Sequence, residues 1–572
     1  MKLQSIANIS EICALKGVEK AVLSPGSRCA PLTLAFVRNP KVRSYTFSDE
    51  RSAAFVALGM AQYTQKPVVL ICTSGSAAYN YAPAIAEAYF RQVPLIILTA
   101  DRPPEWIDQW DGQTIRQAGI YGNHIKKSYQ TPVSFGHPDE EWHVERIISE
   151  AINCAVSGAP GPVHINVPLR EPFYPEKDIP YGFSDGIKII EERSSDPQLS
   201  ELEWRQLMEE GILYDKVLIV GGQSSKRPEI DHVLGSLLQK HQYVVVGDTI
   251  ANLTGKYVMA NHDIFLGCND SQRLEALRPE LLITFGLSLI SKNLKLFLRA
   301  YKPKAHWHIA PYGDVGDTYQ SLTKIIRTSP EEFFNKMLHW REKEKFKQQR
   351  EDNYHKIWHI ENKRAGEFMQ SFFDDEIFGE FEATHTILKS IPSGSDLHLA
   401  NSMAVRYANF FGQLPEDVHV YANRGTSGID GSNSTAVGTV LASGRFTTLL
   451  TGDMAFFYDR NAFWHNYPTP NLRVVVLNNQ GGGIFRLING PSQQPELEEY
   501  FETRQLLTAK NTANDFGFDY TCATDRESLE EGLKSFFEKS DKPKLLEVMT
   551  VNKNNQVVFN HFKKLINNNY GE

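Results

Sequence analysis

Short apolar runs, many of them β-branched, alternate along the chain with stretches of helical periodicity, and most runs stop on a polar or glycine-bearing turn. Ala21-Val22-Leu23 leads into Ser24-Pro25-Gly26-Ser27-Arg28, and Pro67 to Cys72 leads into Thr73-Ser74-Gly75-Ser76. Pro94 to Leu98 leads into Thr99-Ala100-Asp101-Arg102-Pro103-Pro104, and Val163 to Val167 into Pro168-Leu169-Arg170. The pattern resumes at Lys216 to Gly222, Tyr243 to Gly247 and Leu281 to Gly286, and again from His398 onward. Strands that alternate with helices predict parallel sheets covered by helices. A turn-rich, charged stretch at 183–200 and a Lys/Glu/Arg-dense helical stretch from Glu331 to Arg364 punctuate the chain. They divide it into three doubly wound α/β domains, at 1–182, 183–360 and 361–572.

The densest chemistry lies between Thr451 and Phe485. The run Phe446 to Thr451 ends on Gly452-Asp453, and Arg473 to Leu477 ends on Asn478-Asn479-Gln480-Gly481. A helical segment around Asp459 to Trp464 fits between them, so the two strands are expected to be parallel neighbours. Ligands of open parallel sheets gather at the carboxyl ends of strands, which brings Asp453 and Asn479 together. A carboxylate, an amide oxygen and free carbonyls suit Mg²⁺, which completes its shell with water and phosphate. Gly481 to Gly483 allow close backbone approach. The plain alternative is a βαβ unit whose polar turns only punctuate the chain. Gly-Asp followed at this spacing by Asn-Asn-x-Gly favours a metal–diphosphate site.

The 572 residues exceed one ordinary core and suggest about three domains. No apolar run of about 18 residues appears, so no membrane span is expected. The start, MKLQSIANISEICALKG, breaks its apolar residues with Asn8, Ser10 and Glu11 and reads as an amphipathic helix, not a signal peptide. The six cysteines are scattered without Cys-x-x-Cys, which suggests a reducing cytoplasm and no zinc site. A net charge of −8 argues against nucleic acid or an anionic membrane as partner. An anionic substrate would need cations concentrated locally. Arg28 and Arg102 stand in strand-end loops, Arg406 in the first turns of a helix, and Arg424 before the glycine-rich loop Gly425 to Gly431. Arginine offers carboxylates a planar, two-pronged donor set. Singly, Arg28 or Arg102 reads as a surface residue, and the plain alternative for Arg424 is a buried structural arginine in an elaborate loop.

Glu50 admits two readings from the residues alone. It is a helix-start carboxylate stabilised by the macrodipole, or a desolvated carboxylate able to shuttle protons. The helix after it is rich in Ala and Gly and can pack tightly against a neighbour. Gly221-Gly222-Gln223-Ser224 lacks the dinucleotide spacing and reads as a strand-to-helix turn. Lys292 stands at a helix start, and His306 and His308 alternate along a strand in structural roles.

The Thr451 to Phe485 stretch resembles the diphosphate motif of thiamine-diphosphate enzymes. That resemblance implies that Asp453, Asn479 and the Gly481 carbonyl hold Mg²⁺ (or Mn²⁺) against the cofactor's diphosphate. The three domains then become pyrimidine-binding, central and diphosphate-binding. Glu50, in the Asp-Glu-Arg-Ser-Ala pattern, matches the family glutamate that faces the pyrimidine ring and starts its proton relay. In the family it reaches the cofactor of a partner subunit, which implies a homodimer or a dimer of dimers. Ser27, Thr73, Gly452, Met454, Gly482, Ile484 and Phe485 match further cofactor-contacting positions, and Ile429 the apolar prop that bends the cofactor. No flavin is expected in the central domain.

Four more motifs narrow the resemblance: Ser-Pro-Gly-Ser-Arg, Thr-Ala-Asp-Arg-Pro-Pro, Asn-Ser-Met-x-x-Arg and Asn-Arg-Gly-x-Ser-Gly-Ile-Asp-Gly. They look like the menaquinone-biosynthetic branch, which decarboxylates 2-oxoglutarate and adds the succinyl carbanion to isochorismate. Gly-Asp-Met at 452–454 agrees with that branch. By resemblance Ser402, Arg406 and Arg424 face 2-oxoglutarate, and Arg28, Arg102, Gln113 and Lys292 face isochorismate. The chain departs from the pattern at Gly112, where the family often has a polar amide, and at Asn293, where a second basic residue is common. Two alternatives stand beside this reading. Another thiamine-diphosphate 2-oxoacid decarboxylase or carboligase would not need this set of arginines. A non-catalytic subunit would be expected to lose Glu50 or the metal ligands.

Overall fold

The structure, a computed structural model, describes residues 4–570 apart from 172, 176–181, 242, 344–352, 375, 413 and 416. Among the described residues, seventeen strands form three sheets, and every pairing within them is parallel. The first sheet holds β1 (Lys20–Leu23), β2 (Arg43–Thr46), β3 (Val68–Cys72), β4 (Leu95–Asp101), β5 (Lys127–Gln130) and β6 (Val163–Pro168), in the order β2-β1-β3-β4-β6-β5. The second holds β7 (Val217–Gly221), β8 (Val244–Gly247), β9 (Leu281–Phe285), β10 (Ala305–Ile309) and β11 (Lys324–Ile326), in the order β11-β10-β9-β7-β8. The third holds β12 (Asp396–Leu399), β13 (His419–Tyr421), β14 (Thr447–Gly452), β15 (Leu472–Asn478), β16 (Asp519–Ala523) and β17 (Lys544–Met549), in the order β13-β12-β14-β15-β17-β16. The first and third sheets therefore share one topology. The central strands β3, β4 and β15 are buried along their whole length, as fully covered parallel strands must be.

The helix Glu50–Thr64 of the first unit crosses the helix Ser432–Ser443 of the third. Glycines on both sides permit the crossing: a Cβ on Gly59 would lie 2.1 Å from the Thr435 carbonyl oxygen, and one on Gly438 would lie 2.1 Å from that of Val56. The close neighbour that the Ala/Gly-rich sequence called for is this helix, and one apolar core runs through both units. The second unit is fastened to the third by side-chain amides. Asn252 and Val420 exchange two hydrogen bonds, at 3.0 and 2.7 Å, and Gln223 Nε2 donates to the Ala422 carbonyl at 2.8 Å.

Three local readings are refined. Helix begins immediately after β14, as Asp453–Tyr458, and only a 3₁₀ turn, Arg460–Phe463, occupies the segment expected to be helical. The Asp453 carboxylate takes the Met454 N–H, and Ala455 and Phe456 bury the new helix at once. The N-terminal helix Gln4–Leu15 is buried from Ser5 through Cys13, so its polar residues are satisfied internally; Asn39 Nδ2 donates to both Ser10 and Glu11. The Glu331 to Arg364 stretch is described as two helices, Pro330–Lys343 and Asn353–Ser371, with 344–352 outside the described residues. His306 and His308 both hydrogen-bond Thr284 Oγ1 in the sheet interior, and burial pushes each ring down to about 4, so both stay neutral. Among the described residues no helix is long and apolar enough to cross a membrane.

Candidate active site

β14 and β15 are adjacent and in register, Gly452 opposite Leu477, so Asp453 and Asn479 leave the sheet side by side. Asp453 is 2 % exposed and Asn479 half-buried. The Gly481 N–H meets the Asn479 Oδ1 at 3.1 Å and also faces the Asp453 carboxylate, whereas the Gly481 carbonyl, the expected ligand, accepts from the Gly483 N–H at 3.0 Å. Gln505 Nε2 donates to Asp453 Oδ2 at 2.8 Å. Burial raises the Asp453 carboxyl to about 6, more than its hydrogen bonds lower it.

One participant was not foreseen. Glu380, 3 % exposed, accepts from Asn479 Nδ2 at 2.6 Å, and burial together with the Asp453 charge raises its carboxyl to about 8. Two buried carboxylates thus face one another, and neither has an ion-pair partner among the described residues. A hard divalent cation would balance that charge. A Cβ on Gly452 would meet nothing within 4 Å, which leaves room beside Asp453, whereas Gly481 and Gly483 have none to spare: their added carbons would lie 2.8 Å from the Glu502 carbonyl and 2.5 Å from Asn552 Oδ1. Oxygen donors, excess negative charge and open space at one strand end fit a metal–diphosphate group. Ile484 and Phe485 follow on the short helix Ile484–Leu487, with Phe485 against Phe501 at 5.9 Å between centroids. Met454 is half-buried beside Asp453, and Gly482 donates its N–H to the Glu502 carbonyl at 2.7 Å.

Four of the five expected cations fall into two groups. At the ends of β12 and β13, Ser402 takes a left-handed backbone (φ +75°) and its carbonyl accepts from Arg406 Nη1. Arg424 Nη1 donates to Asn401 Oδ1 at 2.8 Å, and Asn401 in turn spans the loop to the carbonyls of Asn423 (2.7 Å) and Gly428 (2.6 Å). Arg406 and Arg424 repel one another in a desolvated setting, and burial ahead of that repulsion lowers the Arg406 guanidinium below its ordinary range. Burial outweighs the carboxylates nearby, Asp263 for Arg406 and both Asp248 and Glu87 for Arg424. Ile429, 38 % exposed, stands on the same loop.

At the ends of β1 and β4, Arg28 is buried, donates from Nη1 to the Leu169 carbonyl at 2.8 Å and lies 4.8 Å from the centre of the Phe173 ring. This position overturns the single-residue reading of a surface arginine. Burial and the neighbouring Arg102 charge both lower Arg28. Arg102 is held by Asp111 at 2.9 Å and by the Gly112 carbonyl at 2.8 Å, so the loop that carries Gln113 folds onto it. Gln113 has φ +55° and packs against Gly75. Thr73 packs on Gly26, and the hydroxyls of Thr73 and Ser74 are buried without a partner; Ser27 beside them is exposed. Lys292 opens the helix Lys292–Ala300 and neighbours Lys563 of the C-terminal helix.

Glu50 is half-buried, with Asn80 Nδ2 3.4 Å from its Oε2. Its flanks are tied down: Asn461 Nδ2 donates to Asp49 at 2.7 Å, and Arg51 donates to the Tyr458 carbonyl at 2.6 Å. Among the described residues, no hydrogen bond or ion pair joins Glu50, Arg28 or Arg102 to the Asp453–Asn479 site within one chain.

Glu87 is a second residue the sequence reading passed over. Fully buried, it accepts from the Gly425 N–H (2.8 Å), the Thr426 N–H (2.6 Å) and the Thr426 hydroxyl (2.8 Å), and so pins the Arg424 loop from the first unit. A lone carboxylate in the apolar stretch AIAEAYF was the available signal. Glu380, at an ordinary helix start, carried none.

Residues 7–120 match the family described as "Thiamine pyrophosphate enzyme, N-terminal TPP binding domain", and 197–399 match "Middle domain of thiamine pyrophosphate". With two like-wound sheets flanking a third, the fold defines a thiamine-pyrophosphate enzyme. Proteins named 2-succinyl-5-enolpyruvyl-6-hydroxy-3-cyclohexene-1-carboxylate synthase match over almost the whole chain. That of Cytophaga hutchinsonii is 45 % identical over 99 % of this chain and 100 % of its own. Those of Flavobacterium psychrophilum (39 %, 99 % of each chain) and Porphyromonas gingivalis (38 %, 96 % of this chain and 94 % of its own) agree. The chain belongs to this synthase family.

Proposed function

We propose that the enzyme decarboxylates 2-oxoglutarate and adds the resulting succinyl carbanion to isochorismate. The products are 2-succinyl-5-enolpyruvyl-6-hydroxy-3-cyclohexene-1-carboxylate and CO₂, in the menaquinone pathway of the cytoplasm. The observation that carries this reading is the pairing of arginines at two strand-end clusters, Arg406 with Arg424 and Arg28 with Arg102, in a chain of net charge −8. Both substrates are dianions, and desolvated, mutually repelling guanidinium groups bind carboxylates in preference to water.

Asp453, Asn479 and the Gly481 carbonyl would hold Mg²⁺ or Mn²⁺ and, through it, the diphosphate. Thiamine diphosphate, when bound, supplies the electron sink for the pair released as CO₂ departs. Ile429, Ile484 and Phe485 supply apolar surface beside that site, with Gly452, Met454 and Gly482 contributing backbone. Thr73 and Ser27 belong to the pyrimidine side. Glu50 holds the proton at the pyrimidine ring nitrogen. As in the family it resembles, Glu50 would reach the cofactor held by a second copy, so the complete site is assembled from two copies, as a homodimer or a dimer of dimers. Ser402, Arg406 and Arg424 orient 2-oxoglutarate, and Arg28, Arg102, Gln113 and Lys292 orient isochorismate. The Arg102–Asp111 ion pair is exchanged for a substrate carboxylate on binding.

The test incubates purified enzyme with Mg²⁺, thiamine diphosphate and 2-oxoglutarate, with and without isochorismate. CO₂ release and a product of the expected mass are the expected result. Preference for pyruvate, or no adduct with isochorismate, would refute it. Glu50→Gln keeps fold and cofactor affinity and loses most turnover; near-normal activity removes its proton role. Arg406→Ala raises the 2-oxoglutarate KM, and an unchanged value with impaired isochorismate use reverses the division of arginines.

A further inference from the structure

An amide ligand binds a cation through its oxygen, and nothing in the isolated side chain distinguishes its two ends by shape. Turned by half a rotation, Asn479 would offer an NH₂ group to the metal. In the structure Nδ2 is committed to the Glu380 carboxylate at 2.6 Å, which leaves Oδ1 on the side of Gly481 and Asp453. Glu380 is itself anchored. Its N–H donates to Asn555 Oδ1 at 3.0 Å, Asn555 Nδ2 donates to Thr550 Oγ1 at 3.1 Å, and the Thr550 N–H donates to the Asn478 carbonyl at 2.9 Å. The ring closes on the backbone that carries Asn479. There is little slack in it: a Cβ on Gly379 would lie 2.6 Å from Asn555 Oδ1, and one on Gly483 would lie 2.8 Å from Asn479 Nδ2.

We infer that Glu380 is a positioning residue that locks the Asn479 amide with its oxygen toward the metal. The inference rests on the metal–diphosphate reading of Asp453 and Asn479. An amide whose NH₂ is committed to a buried acceptor cannot turn over without leaving both groups unpaired. Outer-shell partners of this kind typically change metal affinity by about 10–100-fold when removed.

The experiment uses the full-length protein stripped of metal, with Mg²⁺ and thiamine diphosphate as probes. Mg²⁺ binding is followed by calorimetry at fixed thiamine diphosphate, and thermal unfolding of the metal-free protein is recorded alongside. Glu380→Gln is expected to melt at or above the wild-type temperature without metal, because it fills the same space and removes a buried acidic group, and yet to bind Mg²⁺ about 10–100-fold more weakly, because its amide can present either end to Asn479. A purely structural role would instead lower the metal-free melting temperature and spare the affinity. Mg²⁺ affinity within threefold of wild type overturns the inference. If Glu380→Gln does not fold, Glu380→Asp decides, since it keeps the charge but withdraws from Asn479: weakened Mg²⁺ binding supports the inference and wild-type binding overturns it. Failure of both to fold assigns Glu380 to the fold and overturns it as well. Asp453→Ala separates the two levels. Wild-type Mg²⁺ binding in that variant removes the site itself, whereas its loss beside an unaffected Glu380→Gln removes only the role of Glu380.

Discussion

Replacing Gly59 by alanine tests how closely activity depends on the helix crossing between the first and third units. The added methyl would sit 2.1 Å from the Thr435 carbonyl oxygen and 2.9 Å from its carbon, so the two backbones must part by about 1 Å. The helices have no easy retreat, because Gly438 packs equally closely on Val56 from the other side. Overpacking of this kind costs about 1–3 kcal/mol, and a backbone carbonyl, which cannot rotate away, places the site at the upper end. Alanine recovers about 1 kcal/mol of helix propensity. The net loss is about 2 kcal/mol, or a Tm lowered by about 4–8 °C for a unit of this size. Activity should fall further than stability. The same helix begins at Glu50, and a misplacement of about 1 Å in a reacting group costs roughly 100-fold in rate. Differential scanning calorimetry and CO₂ release from 2-oxoglutarate read the two effects. Gly136→Ala is the control, since a Cβ there meets nothing within 4 Å. Wild-type Tm and turnover in Gly59→Ala would refute the reasoning.

Asp459 is buried and takes the N–H and hydroxyl of Ser434 at 2.7 and 2.8 Å, yet burial still raises its carboxyl to about 7. A carboxyl raised on folding contributes stability that is full below its unfolded pKa and is lost as pH rises through 7, so Asp459→Asn should flatten the decline of Tm between pH 4 and 7 relative to wild type. An unchanged slope contradicts this. Glu87→Ala leaves the Gly425 and Thr426 N–H groups without their acceptor and removes a counter-charge beside the buried Arg91, which should cost about 3 kcal/mol in denaturant unfolding. Its 2-oxoglutarate KM should also rise, since Arg424 precedes the loop that Glu87 holds; an unaltered KM would separate that loop from the substrate. Arg28→Ala should raise the isochorismate KM and spare CO₂ release from 2-oxoglutarate alone, which steady-state kinetics with each substrate varied will check.

Strand-helix alternation and the turn chemistry at strand ends were legible residue by residue, because both are set by neighbours a few positions away. So β14 and β15 could be placed next to each other, and Asp453 with Asn479, before any coordinates. The motif loops of Arg28, Arg102, Arg406 and Arg424 were legible for the same reason. Burial was not. Arg28 alone reads as a surface residue and lies beneath Phe173, and the N-terminal helix, amphipathic on paper, is enclosed.

The partners of the buried glutamates Glu380 and Glu87 were beyond reach. Glu380 meets Asn479 across 99 residues, and Glu87 meets Gly425 across 338. A glutamate in a helix has the same local preferences whether it faces water or an amide on another strand. Long-range partners are chosen by how the sheets pack, and that choice leaves no periodicity in the chain. The order of residues therefore specified the strands, their ends and the chemistry those ends present. Which charges are desolvated, and which side chains brace the ligands, came from the packing of three sheets against one another.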